Sequence, residues 1–151
     1  MAIRTTFLAW GLGLLLTLSA DLVSAQQFER VGDYQIHYSA VNTSFLTPEV
    51  AAAYDIQRSQ VQALLSISVR QELDDGSTRA VNATVNGQVS NLAGQIQELS
   101  FRTVREDEAI YHLATFRIQE DEALRFNLDV TYDRNQEPAN ISFMQRFYFD
   151  R

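Results

Sequence analysis

LRFNLDVTY, residues 124–132, decides the fold. Leu124, Phe126, Leu128, Val130 and Tyr132 fall on one side of an extended chain, and Arg125, Asn127, Asp129 and Thr131 fall on the other. Side chains alternate sides with a period of two only in a strand, so this segment has one buried and one wet face.

The same pattern spreads outward from it. Downstream, Ile141, Phe143, Gln145, Phe147 and Phe149 share a face. Upstream, Ile110, Ala114, Phe116 and Ile118 punctuate a run from Ala109 to Gln119, and Leu99 and Phe101 mark one from Gln95 to Val104. Val81, Ala83, Val85 and Val89 form a run broken by Gly87, Leu64, Leu65 and Ile67 lie within Val61 to Val69, and Tyr34, Ile36, Tyr38 and Ala40 alternate with Gln35, His37 and Ser39. Asp74-Asp75-Gly76 and Asn91-Leu92-Ala93-Gly94 supply turns, with glycine free to take a positive φ. Strands at this density predict a single immunoglobulin-like, antiparallel β-sandwich of about seven strands.

The N-terminus sets the compartment. Arg4 precedes an apolar run from Phe7 to Leu18, and Val23-Ser24-Ala25 places small residues before Gln26. This is the layout of a secretory signal peptide cleaved after Ala25, with an apolar core too short to span a bilayer, which takes about 20 residues. Residues 1–25 are read as that leader and 26–151 as the sandwich domain, exported to the periplasm and not inserted in the membrane. The 151-residue chain has no cysteine, so it has no lipid attachment point, disulfide, thiolate metal site or cysteine nucleophile. Its net charge is −7, and its basic residues are all arginines, scattered rather than striped. Nucleic acid is therefore not an expected partner.

One stretch interrupts the strands. YSAVNTSFLTPEVAAAYDIQRS, residues 38–59, begins as a strand and breaks at Asn42-Thr43-Ser44. Thr47 is an N-cap, Pro48 suits the first helical position, and Glu49 favours the positive end of the helix. A short helix is thus expected in the first long connection, with Val50 and Tyr54 as its apolar edge. The stretch reads either as a crossover from one sheet to the other, or as a rigid loop presenting Asn42, Ser44, Arg58 and Ser59 beside Phe45.

Tyr38-Ser39-Ala40-x-Asn42-x-Ser44-Phe45-Leu46 with Arg58-Ser59, then Val85-x-Gly87, Asn91-Leu92-x-Gly94-Gln95 and Leu99-x-Phe101-Arg102, form an ordered series. It continues through Ala109-Ile110-Tyr111-x-Leu113-Ala114-x-Phe116 and ends in Ile141-Ser142-Phe143-x-Gln145-x-Phe147. The series resembles an exported family of Gram-negative bacteria, domain of unknown function 4426. The resemblance implies a small periplasmic β-rich domain without an assigned activity. Val41, Leu92-Ala93, His112 and Arg117 depart from the family's pattern.

Catalytic constellations do not emerge. There is no G-x-S-x-G elbow, no S-x-x-K and no glycine-rich phosphate loop. Glu106-Asp107-Glu108 and Glu120-Asp121-Glu122 bracket one strand and so lie at its opposite ends, too far apart for an acid pair. Asp133-x-Asn135-x-Glu137 lacks the glycine and distal glutamate of a calcium loop and reads as a hairpin connection. His37 and His112 sit in mid-strand, so no metal and no cofactor is expected.

Two functions follow. The first is a non-enzymatic binding or adaptor module that contacts another envelope protein. The second is a small-ligand carrier, or an enzyme, whose pocket forms where Asn42, Ser44, Phe45, Arg58 and Ser59 meet Asn91, Gly94 and Gln95.

Overall fold

The computed structural model describes residues 27–150, so the expected leader lies outside the described residues. Ten strands and one short helix follow in chain order: β1 (Gln27–Val31), β2 (Tyr34–Asn42), α1 (Pro48–Ala53), β3 (Gln62–Glu72), β4 (Thr78–Val81), β5 (Thr84–Asn91), β6 (Ile96–Glu98), β7 (Arg102–Glu106), β8 (Ala109–Arg117), β9 (Glu122–Thr131) and β10 (Ala139–Phe147). They build two antiparallel sheets, the sandwich that the alternation demands. The larger has six strands in the order β1-β2-β3-β8-β7, and β4 also pairs with β3. The smaller has four, in the order β10-β9-β5-β6.

The expected seven strands become ten for three local reasons. The hairpin partner β1 carries Glu29 and Arg30 on an outer edge and shows no clean alternation; it turns back at Gly32, whose φ is +57°. The run through Val81 to Val89 divides into β4 on the larger sheet and β5 on the smaller. Gly87 does not break it. This glycine lies within β5 opposite Leu128, where the neighbouring strand passes so close that a Cβ would meet the Asn127 carbonyl oxygen at 2.5 Å. Likewise the run from Gln95 to Val104 divides into β6 and β7, which belong to different sheets. Leu99 and Phe101 contact the core as the chain crosses, so the period of two survives a change of sheet.

Between the sheets lies an aromatic cluster. Phe126 and Phe143 are cross-strand partners stacked at 4.4 Å, and Tyr38 of the facing sheet stacks on Phe143 at 4.6 Å. Phe116 meets Phe126 and Phe147 edge-on, at 5.2 and 5.5 Å. Such pairs each add about 0.5–1.5 kcal/mol beyond the area they bury.

The interruption at 38–59 is not a crossover between sheets. β2 and β3 pair directly with each other in the larger sheet, from Tyr34↔Gln71 to Asn42↔Ala63. The chain leaves β2 through a 3-10 turn at Thr43–Phe45, winds α1, and lies back over the outer face of its own sheet. There Ile56, Leu64 and Leu113 are buried, with Leu46, Tyr54, Val104 and Tyr111 packed around them. β3 is apolar on both faces here, Leu65 facing the main core and Leu64 this second one. The helix begins as the sequence predicts: the Thr47 hydroxyl accepts from the Val50 N–H at 3.2 Å, with Pro48 at its start. Its buried edge differs, because Ala51 is covered while Val50 stays exposed. The Tyr54 hydroxyl donates to the Glu106 carboxylate; that bond first, and burial second, pushes the Tyr54 pKa up to about 12.

Candidate functional site

β2, β5, β8 and β10 all finish at one end of the sandwich, and β3, β6 and β9 start there. The loops of residues 43–61, 92–95, 118–121 and 148–150 therefore share that end. Side-chain amides stitch it. Gln97 of β6 donates to the Arg117 carbonyl at 3.0 Å and accepts from the Arg117 N–H at 2.9 Å. On the opposite edge, Gln145 of β10 donates to the Ala40 carbonyl at 2.9 Å, and Asn42 donates to the Tyr148 carbonyl at 2.6 Å. The β1 pairing runs out at Gln27↔Tyr38, and these amides serve the edge beyond it.

Thr43 organises the interrupted strand. It is fully buried; its hydroxyl accepts from the Ser59 N–H at 2.9 Å and faces the carbonyls of Ser59 and Gln62 at 3.0 and 3.1 Å. One hydroxyl thus ties both ends of the loop together. Arg58 reaches across the same loop and donates to the Ser44 carbonyl at 3.0 Å, while the Ser59 hydroxyl accepts from the Val61 N–H at 3.2 Å. The Ser44 hydroxyl is buried and has no hydrogen-bond partner among the described residues.

Of the sequence-derived residues, Asn42, Ser44, Arg58 and Ser59 do come together, but Asn42 is buried and bonded rather than displayed. Phe45 is displayed, with 62% of its surface exposed. Asn91, Gly94 and Gln95 form a separate closed turn. The Asn91 side-chain oxygen accepts from the Gln95 N–H at 2.9 Å, its amide donates to the Gln95 side chain at 2.7 Å, and Gly94 takes a φ of +87°. Both groups occupy one end of the molecule. The 490 Å³ hollow beside Asn91 and Gln95 is walled by Val61, Ile96, Arg117 and Glu122, and its lining includes neither Arg58 nor any residue of 42–46.

Sequence reasoning missed Thr43, Gln97 and three displayed apolar residues. Val61, Ile96 and Tyr148 stand 49%, 56% and 53% exposed at this end, beside Leu92 at 71%. Ile96 and Tyr148 carry a signal: each is apolar yet out of phase with its buried neighbours, Leu99 and Phe147. Thr43 carries none, because a polar residue in a break reads as a loop.

The acidic runs lie at opposite ends of β8, and Asp107 and Asp121 each take a positive φ in tight turns. Asp133 closes the β9–β10 connection, its side chain accepting from the Asn135 N–H at 3.0 Å. His37 pairs with Ser68 and His112 with Ile67, neighbours on β3, so the two imidazoles project from opposite faces of one sheet. His112 is buried, with Nδ1 3.0 Å from the Thr103 hydroxyl and Nε2 without a hydrogen-bond partner among the described residues. Burial, then the charge of Arg105, holds its pKa below the ordinary value.

Comparison with known proteins gives three findings. The family model described as domain of unknown function (DUF4426) matches residues 28–150. No curated protein matches the chain. Among solved structures, a DUF4426 family protein from Pseudomonas aeruginosa PAO1 is similar over 85% of this chain and 99% of its own, with 32% identity and a TM-score of 0.72. FetP from uropathogenic E. coli strain F11, recombinantly expressed in the periplasm of E. coli BL21(DE3), is similar over 84% of this chain and 96% of its own. There the identity is 10% and the TM-score 0.59, a likeness of fold alone. A copper-bound variant of the same FetP gives 10% identity and a TM-score of 0.57, covering 84% of this chain and 92% of its own.

Proposed function

This chain belongs to the DUF4426 family, and we propose that it works as an exported, non-enzymatic binding module docking a protein partner of the cell envelope. Its leader-like residues 1–25 support export to the periplasm. The observation that carries the docking surface is the display of Phe45, Val61, Leu92, Ile96 and Tyr148 at one end of the sandwich. Apolar and aromatic groups held on rigid loops, rimmed by Asn91, Gln95, Arg58 and Arg117, have the make-up of recognition surfaces. The loops are stiffened before any partner arrives, by Thr43 on one side and by the Asn91–Gln95 turn on the other. Little ordering cost then remains to be met on binding.

The copper of the FetP variant has no counterpart in this proposal. Among the described residues no group of three His, Cys, Asp or Glu is placed to hold a metal ion. His37 and His112 face away from each other across their sheet and do not converge.

A photo-crosslinking residue in place of Phe45, activated in living cells, tests the docking end. One discrete protein adduct, lost when Val61 and Ile96 are both changed to serine, supports it. A folded, abundant protein without an adduct at Phe45, Leu92 or Tyr148 overturns protein docking at this end. The 490 Å³ hollow beside Ile96 would then make a small ligand the better reading.

A further inference from the structure

The outer face of the larger sheet is only half covered. Strand pairing lays its outward side chains in a grid: His37 opposite Ser68, Ser39 opposite Ser66, and Val41 opposite Leu64. Near Leu64 and Leu113 the face is apolar and the α1 loop covers it. Beyond that cover, Ser66 and Ser68 occupy the middle of the central strand, where their small side chains leave a low floor. His37 and Ser39 stand on one side, Tyr111 on the other and Arg70 at the far end. The result is a trough of 270 Å³.

Three features of the trough point to a ligand. The hydroxyls of Ser39, Ser66 and Ser68 have no hydrogen-bond partner among the described residues, so three donor–acceptor groups face the same space. Their spacing follows from the sheet, about 5 Å between paired strands and about 7 Å along one strand. Arg70 is fixed rather than mobile: Nε donates to the Thr78 hydroxyl at 2.7 Å and Nη2 to the Thr78 carbonyl at 3.0 Å. Its Nη1 has no hydrogen-bond partner among the described residues. Finally, among the described residues no carboxylate lines this trough, and Glu106, Asp107 and Glu108 border Arg70 only from neighbouring hollows.

We propose that the trough binds a small sugar acid, its carboxylate on the Arg70 guanidinium and its ring hydroxyls on Ser39, Ser66 and Ser68. A fixed guanidinium with a free edge suits a carboxylate. The serine grid suits a ligand with several hydroxyls, and a volume just under the usual lower bound of about 300 Å³ suits one ring rather than a chain. The other basic group at the trough, His37, has its Nε2 3.0 Å from the Gln35 side-chain oxygen, and burial first, then the charge of Arg70, lower its pKa. This site lies on a sheet face, apart from the docking end, and the two stand or fall separately.

The test is a titration of the ¹⁵N-labelled protein with glucuronate, with glucose in parallel. Saturable shifts at the amides of Ser66 to Arg70 with glucuronate, and at least tenfold weaker ones with glucose, are expected. Arg70→Gln should weaken glucuronate binding by about tenfold to a hundredfold, the span of one charge-assisted contact. Arg70 also braces β4, so a second variant separates binding from folding: Ser68→Val fills the floor with a residue that strands favour and should abolish binding in a folded protein. A tetrasaccharide ending in glucuronate separates the two sources of this chemistry. Tighter binding of the tetrasaccharide assigns the end of a polymer, and tighter binding of the monomer assigns the free acid. No saturable shift with either acid, equal responses to glucose and glucuronate, or unchanged binding in Ser68→Val would overturn the proposal.

Discussion

The side-chain amide of Gln97 meets both backbone groups of Arg117, the N–H at 2.9 Å and the carbonyl at 3.0 Å, although the two residues belong to different sheets. β7 pairs with β8 only as far as Arg102↔Leu113, so Arg117 lies past the last strand partner on that edge. A carboxamide has one acceptor and a donor pair set much like those of a peptide group, which lets it stand in for the missing strand. Replacing Gln97 with alanine leaves both groups of Arg117 to water. We expect a loss of about 1–3 kcal/mol in urea unfolding, with the slope unchanged. Stability within a few tenths of the parent would show that the stitch is decorative.

Gly87 and Gly94 should fail differently on substitution by alanine. At Gly87 a Cβ would sit 2.5 Å from the Asn127 carbonyl oxygen and 2.9 Å from the Leu128 Cα, both backbone atoms that cannot step aside. We expect about 3 kcal/mol or more, the upper range of overpacking. At Gly94 nothing lies within 4 Å, but φ is +87°, so the cost is conformational and about 1 kcal/mol. Asparagine, which tolerates that backbone, should recover part of it at position 94 and none at position 87.

Thr43→Val keeps the shape of a buried side chain and removes its hydroxyl. The Ser59 N–H then loses its acceptor inside the loop, which should cost about 1–3 kcal/mol in denaturant unfolding. Phe45→Ala, at a side chain 62% exposed, should stay within about 0.5 kcal/mol of the parent. The pair therefore separates holding the loop from what the loop displays, and equal losses would refute that division.

Stability should fall as the medium is acidified from pH 7.5 to 5.5. The His112 pKa is lowered in the folded protein, by burial first and by Arg105 second, so the unfolded chain takes up the proton earlier. The contribution is complete above the unfolded value of about 6.5 and is lost as pH drops from there towards the lower folded pKa. His37 shifts in the same direction, again mainly through burial. The urea midpoint measured across this range should flatten in part in His112→Gln. Parallel profiles for parent and variant would remove His112 from the account.

Alternation made the sandwich legible, and β9 and β10 needed nothing else. Where the sequence misled, the cause was a change of sheet that kept its phase. Leu99 and Phe101 point to the same core from a crossing segment as they would from one strand. The α1 start was readable because Thr47 and Pro48 are local chemistry. Where the helix would lie was not, since Leu64 and Leu113, its floor, come from strands whose opposite faces also read as buried. The fate of Asn42 was hidden for a related reason. Its partner is the Tyr148 carbonyl, a backbone atom far along the chain, and backbone partners leave no mark on composition.

The position of β3 bears on how the protein is made. It pairs with β2 along one side; on the other, β4 covers only residues 69–72, and residues 62–67 pair with β8. A polypeptide emerging N-terminus first, from a ribosome or a translocation channel, can fold the β2–β3 and β3–β4 hairpins early. It then waits with one side of its middle strand open until residue 117 arrives. During that interval Leu65 and Ile67 belong to an unfinished edge, the form of β-sheet most prone to pair with a stranger. We therefore expect the yield of this protein to depend on how soon residues 109–117 follow the first half of the chain.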